Sequence, residues 1–210
     1  MDTLSTMDTS FTFNRTLANR SLILGGARSG KSSYAESLAQ TLANPTLKQV
    51  IYIATAKAPR TDADSEMQAR IAHHQARRNP AWLTLEVPIA LGAAIETHSK
   101  PECVIVVDCL TVWLSNLLFN ASTTYPEVGI IDLPTDFLAQ RQALLDGLSK
   151  AKGDIVLVSN EVGMGIVPMG AINRLFVDEA GRLNQAVAAV CDRVVFVAAG
   201  CPLVLKGTAL

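Results

Sequence analysis

"LILGGARSGKSSYAE", Leu22 to Glu36, joins an apolar strand-like run to a glycine-rich turn that ends in Gly-Lys-Ser and opens onto a helix-like run. Gly25, four residues, then Gly30, Lys31 and Ser32 is the spacing of a phosphate-binding loop. The residue types have a direct physical reason. Glycines let the backbone curl so that successive N–H groups point inward at anionic oxygens, and the following helix aims its positive end at the same place. A lysine in this position meets β and γ phosphates, and the next hydroxyl meets Mg²⁺. The stretch predicts a strand, a phosphate loop over Gly25–Ser32 and a helix over Ser32–Leu42, in a chain that handles nucleoside triphosphates.

Working outward, short apolar runs alternate with longer helical ones. Strands are expected in "SLILGG", "QVIYIATA", "LTLEVP", "CVIVVDCL", "DIVLVSNEV" and "RVVFVAAG", and helices near Ser65–Arg78, Ile89–His98, Leu110–Phe119, Thr135–Lys152 and Asn173–Cys191. Such alternation implies an α/β fold, a mostly parallel sheet with helices on both faces. "LVLKG" is expected to turn back on "VVFVAAG" through Gly200, Cys201 and Pro202 as a C-terminal antiparallel hairpin. Residues 1–20, rich in Ser and Thr, read as a flexible N-terminal extension, and 21–210 as one globular domain. "NASTTYPEVGIIDLP" reads as a surface loop.

With 18 Lys and Arg against 19 Asp and Glu, the net charge is −1. No basic field argues for nucleic acid, and no basic run extends beyond "QARR". No apolar run is long enough to span a bilayer, and the N-terminus lacks the apolar segment of a signal peptide. The four cysteines, Cys103, Cys109, Cys191 and Cys201, form no CxxC pair and read as small hydrophobes, which suits a reducing, cytoplasmic setting.

In parallel sheets ligands gather at the carboxyl ends of strands. Asp108 stands at such an end, as a group for Mg²⁺ or alternatively as a helix cap. Asn160 and Glu161 stand at another, before a Gly163-Met164-Gly165 turn. In "SEMQARIAHHQARRNPAWLTLE", helical spacing puts Met67, Ile71, His74 and Arg78 on one stripe and turns His73 towards Arg70 and Arg77. His74 then faces inward, either as a core histidine or as a nucleophile able to form a phosphoramidate. Metal ligation there is not expected, since the remaining histidine is His98 and no carboxylate lies at ligand spacing.

Taken in order, "LILGGARSGKSSYAE", "VIYIATA", "RIAHHQARRNPAWLTLE", "VDCLTVWLSNLLF" and "NEVGMGIVP…NRLFVDEAGRLNQAVAAVCDRVVFVAAGCPLVLKG" resemble the bifunctional adenosylcobinamide kinase and adenosylcobinamide-phosphate guanylyltransferase family of cobalamin biosynthesis. The resemblance runs from Ser21 to Gly207. The expected architecture is then a P-loop NTPase of the RecA-like kind. The resemblance implies phosphorylation of the aminopropanol hydroxyl of adenosylcobinamide from ATP or GTP. GMP from GTP is then transferred through a guanylyl-histidine, giving adenosylcobinamide-GDP and pyrophosphate.

Motif matching puts the GMP-carrying histidine at His74, with His73 the alternative, and Lys31 beside it as catalytic. It assigns nucleotide contacts to the loop Gly25, Gly26, Ala27, Arg28, Ser29, Gly30, Lys31 and Ser32. Others fall at the strand end Ala54, Thr55 and Ala56, at Gln75, Ala76, Arg77 and Arg78, and at the acidic Glu86 and Asp108. Mg²⁺ would be held by Ser32 and Asp108. Asn79 departs from the family, which usually has an arginine–proline step there. The resemblance also implies a homo-oligomer, because one small domain offers little concave surface for a corrinoid. Competing readings are a small-molecule kinase with a structural histidine, and a nucleic-acid-dependent ATPase or nucleotide switch, against which the charge balance counts.

Overall fold

The computed structural model describes residues 18–56, 79–119, 125–166 and 169–208. In chain order these form β1 (Arg20–Gly25), α1 (Lys31–Ala43), a short 3-10 turn (Asn44–Thr46), β2 (Gln49–Ala54) and β3 (Leu83–Glu86). There follow α2 (Leu91–His98), β4 (Cys103–Asp108), α3 (Leu110–Leu118) and α4 (Thr135–Lys150). The chain closes with β5 (Asp154–Asn160), α5 (Ala171–Val190), β6 (Arg193–Ala198) and β7 (Cys201–Lys206). The seven strands form one sheet in the order β3-β2-β4-β5-β1-β6-β7. Six are parallel, and only β7 runs antiparallel, against β6.

Every parallel strand inside the sheet is apolar on both faces because both are covered. Leu22, Leu24, Ile105, Val107, Ile155 and Leu157 pack with Trp113, Phe137, Leu144 and Leu183 from the helices α3, α4 and α5. The alternate residues Ile23, Tyr52, Val104, Val106, Val156 and Val158 pack under Ala35, Leu38, Ala39 and Leu42 of α1. Alternation along a strand therefore assigns each residue at a strand end to one face or the other.

The expected elements are present in the described residues, with edges moved by identifiable hydrogen bonds. The helix expected from Ile89 begins at Leu91, because the Ile89 carbonyl accepts from the Trp113 indole at 2.7 Å. That expected to reach Lys152 stops at Lys150, where Ser99 Oγ accepts from the amides of Lys152 and Gly153, both at 2.9 Å. The last helix starts early, at Ala171, whose amide donates to the Glu127 carbonyl. The hairpin turns on Ala199 and Gly200, both at positive φ, so Cys201 and Pro202 belong to β7 itself. Arg20, assigned to the N-terminal extension from sequence, is the first residue of β1, and Asn19 is bonded to Asp154. Helix Ser65–Arg78 lies outside the described residues.

Candidate active site

The phosphate loop leaves β1 at Gly25, a position only glycine can fill: a Cβ there would lie 2.4 Å from the Val197 carbonyl oxygen and 2.5 Å from Ser29 Oγ. Arg28 and Gly30 take positive φ, +56° and +96°, which curls the backbone before α1 begins. Gly30 is the N-cap of α1 and offers no side chain to its first amides, so the helix start is left open to a ligand. The hairpin turn braces the loop from behind. Gly200 N donates to the Ser29 carbonyl at 2.8 Å, and a Cβ on Gly30 would approach Gly200 Cα to 3.2 Å. Lys31 Nζ arches back to the Gly26 carbonyl at 3.2 Å, its one hydrogen bond among the described residues.

Two strand ends stand beside this loop. β5 is the immediate neighbour of β1, with Asn160 opposite Gly25, and the Glu161 amide donates to the Gly25 carbonyl at 3.1 Å. β4 is next, and Asp108 at its tip accepts a 2.8 Å hydrogen bond from the Tyr52 hydroxyl. Asp108 is not the helix cap. That place belongs to Cys109, whose Sγ accepts from the Val112 amide, so the cap alternative for Asp108 is not what the structure holds. The Cys109 thiol is pushed up to about 12, first by burial and then by the Asp108 carboxylate, with Lys31 among the groups pulling it down. Lys31 and Asp108 thus act electrostatically on the same buried sulfur, from the loop and from the strand end.

The remaining expected residues lie at the end of β2, next to Asp108, and on the edge strand β3. Thr55 is buried, and its hydroxyl accepts from the Cys109 amide at 2.9 Å and donates to the Cys109 carbonyl at 2.8 Å. Its carbonyl accepts from Asn116, so Thr55 ties β2 to β4 and to α3. Ala54 pairs with Glu86, which is exposed at the end of the edge strand β3. With strands about 4.8 Å apart, Glu86 stands roughly 19 Å from β1 along the order β3-β2-β4-β5-β1. The strand ends therefore form a row from the loop outward: Gly25, Asn160, Asp108, then Ala54, which pairs with Asp108, and Glu86 at the sheet edge. His73, His74 and Gln75–Arg78 lie outside the described residues.

Sequence reading missed three contributions. Tyr52 is hidden in the apolar run of β2, and Gly200 is remote in sequence from the loop it braces. The third is a buried ring of hydrogen bonds through Thr111, Ser159 and Asn184. A shallow cleft lined by Glu36, Ser37, Gln40, Thr41, Asn79 and Trp82 opens farther along α1 than the loop.

The family model described as cobinamide kinase / cobinamide phosphate guanyltransferase matches residues 21–205. The bifunctional adenosylcobalamin biosynthesis protein CobP of Pseudomonas aeruginosa is 49% identical over 191 residues, covering 91% of this chain and 99% of that protein. Those named CobU from Escherichia coli and Salmonella typhimurium are 37% and 38% identical, each over 88% of this chain and 98% of their own. Among solved structures, the flagellar accessory protein FlaH from Methanocaldococcus jannaschii overlays with a TM-score of 0.44 at 16% identity, over 90% of this chain and 79% of that one. By its match across nearly the whole chain, this protein belongs to the cobinamide kinase / cobinamide phosphate guanyltransferase family.

Proposed function

We propose that the chain phosphorylates the aminopropanol hydroxyl of adenosylcobinamide from ATP or GTP, then guanylylates that phosphate from GTP to give adenosylcobinamide-GDP and pyrophosphate. The observation that carries this reading is the phosphate loop itself. Gly25 and Gly30 are sterically required, Lys31 arches over the loop, and Asp108 stands two strands away. All lie within the residues matched by the family model.

In the kinase step the loop amides hold the β and γ phosphates, and Lys31 balances charge that develops on the transferred group. Ser32 and Asp108 would hold Mg²⁺. Mg²⁺ is usually bound by one or two side chains plus phosphate oxygens and water. That fits a described structure with no cluster of three or more potential ligand side chains. When bound, the ion offsets charge on the β and γ oxygens.

For guanylyl transfer, a His74 ring nitrogen attacks the α-phosphorus of GTP. A P–N bond forms as the bond to pyrophosphate breaks, and a phosphate oxygen of adenosylcobinamide phosphate then displaces the histidine. Gln75–Arg78 follow that histidine, and Ala54–Ala56 with Glu86 form the neighbouring strand-end surface for the guanine nucleotide. The setting is cytoplasmic, in keeping with four unbridged cysteines and with no described helix long and apolar enough to cross a membrane.

The test is covalent labelling. With GTP labelled at the α-phosphate the protein should retain label that acid releases and base spares, whereas γ label should not be retained. His74→Ala should abolish the label and guanylyl transfer and keep phosphorylation; His73→Ala should keep both. Reversed results move the nucleophile to His73, and label surviving both substitutions defeats the covalent-histidine mechanism for this segment.

A further inference from the structure

On the helix-rich side of the sheet, four residues close a ring of hydrogen bonds. The Asn160 amide donates to Thr111 Oγ1 at 2.7 Å, and Ser159 Oγ donates to Asn184 Oδ1 at 2.7 Å. Asn184 Nδ2 returns to the Asn160 carbonyl at 3.3 Å, and the two hydroxyls of Thr111 and Ser159 lie 3.3 Å apart. Because the Ser159 proton is committed to Asn184, Thr111 donates to Ser159, and each hydroxyl then accepts once and donates once. Thr111, Ser159 and Asn184 are buried at 8, 2 and 7% exposure. Polar groups this buried hold their geometry because an unmade bond there is costly. The ring begins and ends on the backbone of a single residue, Asn160.

What the ring fixes is where the Asn160 side chain goes. Ser159 faces the ring, so its neighbour Asn160 faces the other side, with Val156 and Val158 beneath α1. On that side Gly25 is its direct partner in β1, and Val158, two residues earlier, is paired with Asp108 in β4. Asn160 therefore stands between the phosphate loop and Asp108. Its carboxamide is half-buried and makes no hydrogen bond among the described residues. A carboxamide presents N–H donors without adding charge, which suits an anionic oxygen already flanked by Lys31.

We propose that Asn160 is a further catalytic residue of the phosphoryl-transfer step, its carboxamide donating to the γ-phosphoryl group, with Thr111, Ser159 and Asn184 as positioning residues that hold it there. The proposal rests on the phosphate-loop reading above.

The test compares affinities for ADP and for β,γ-imido ATP, each with Mg²⁺, by titration calorimetry. A hydrogen bond to a charged oxygen is worth about tenfold in binding. Asn160→Ala should weaken the triphosphate analogue about tenfold and change ADP less than twofold. Thr111→Val, which removes the acceptor for the Asn160 amide, should show part of the same selective loss, and Thr111→Ser should restore it. An equal loss for both ligands, or none, in folded Asn160→Ala protein overturns the γ-phosphoryl contact. A selective loss in Asn160→Ala with Thr111→Val unchanged overturns the positioning role. Failure of the phosphate-loop reading shows differently, as wild-type protein that binds neither nucleotide.

Discussion

The two ends of the sheet treat their polar groups in opposite ways. Where the strands begin, polar groups bond to one another. Lys48 Nζ and Asp154 Oδ2 are 2.8 Å apart, Asn19 donates twice to the same carboxylate, and Asp192 accepts from the Arg20 amide at 2.9 Å. Where they end, the Asn160 carboxamide, the Arg28 side chain and the buried Ser29 hydroxyl have no partner among the described residues. The same apolar core supports both rims: one ties the strands together with ion pairs, and the other carries the groups proposed above to meet the nucleotide.

The largest effect expected from this contrast is at the exit rim. Lys31→Ala should lower cobinamide phosphorylation by about two to three orders of magnitude, as removal of one charge-stabilising group does, with thermal stability nearly unchanged because among the described residues the Lys31 ammonium bonds its own loop alone. Steady-state kinetics beside a melting curve checks it, and full turnover in the folded variant would undo the distinction.

At the entry rim the same kind of change should reverse the pattern. Asp154→Ala leaves Lys48 beside a half-filled, largely buried site, and breaking such a pair costs about 3 kcal/mol. Denaturant titration reads that loss, and turnover per folded molecule should stay at the wild-type level. Acid sharpens the point. Burial pushes Asp154 up, but the Lys48 ammonium and the Asn19 donors outweigh it and hold the carboxyl below its ordinary value. Its folded value is therefore lower than its unfolded one of about 3.9. The stabilisation is complete above that unfolded value and is lost as pH falls through the folded one. Asp154→Asn should remove that part of the acid limb.

The smallest effect separates surface from core chemically. Cys103, Cys109 and Cys191 are buried, and burial first of all pushes Cys109 and Cys191 up to about 12, while Cys201 is exposed on β7. An alkylating reagent at neutral pH should modify one thiol in native protein and four after unfolding, with no loss of phosphorylation from the single modification. A second native thiol would show that one face of the sheet opens.

The phosphate loop and the strands were legible in the sequence because their signals are local. Gly25, Gly30, Lys31 and Ser32 sit within eight residues, and each apolar run reports its own burial. Asp108 was legible as a strand end, but its role as a cap was not excluded until Cys109 was seen in that place. The ring around Asn160 was not legible. Thr111, Ser159 and Asn184 lie 48 and 25 residues apart along the ring, and each alone resembles the ordinary polar content of a helix or strand. The bonds of Thr55 were not legible either: the sequence marks it at a strand end, but nothing local says that its hydroxyl bonds the backbone of Cys109 on the neighbouring strand end.

The placement of β1 has a consequence for the order in which the molecule is made. Its partners are β5 and β6, so Arg20 meets Ile155 and Ser21 meets Arg193. During synthesis the strand that carries the phosphate loop emerges early and has no neighbour until most of the polypeptide has followed, and the Gly200 amide that braces Ser29 comes later still. Pairing over such separations is slow to form. A growing chain that has already exposed the loop sequence therefore has no nucleotide site, and binding activity arises only when the last hairpin has left the ribosome and closed behind the loop.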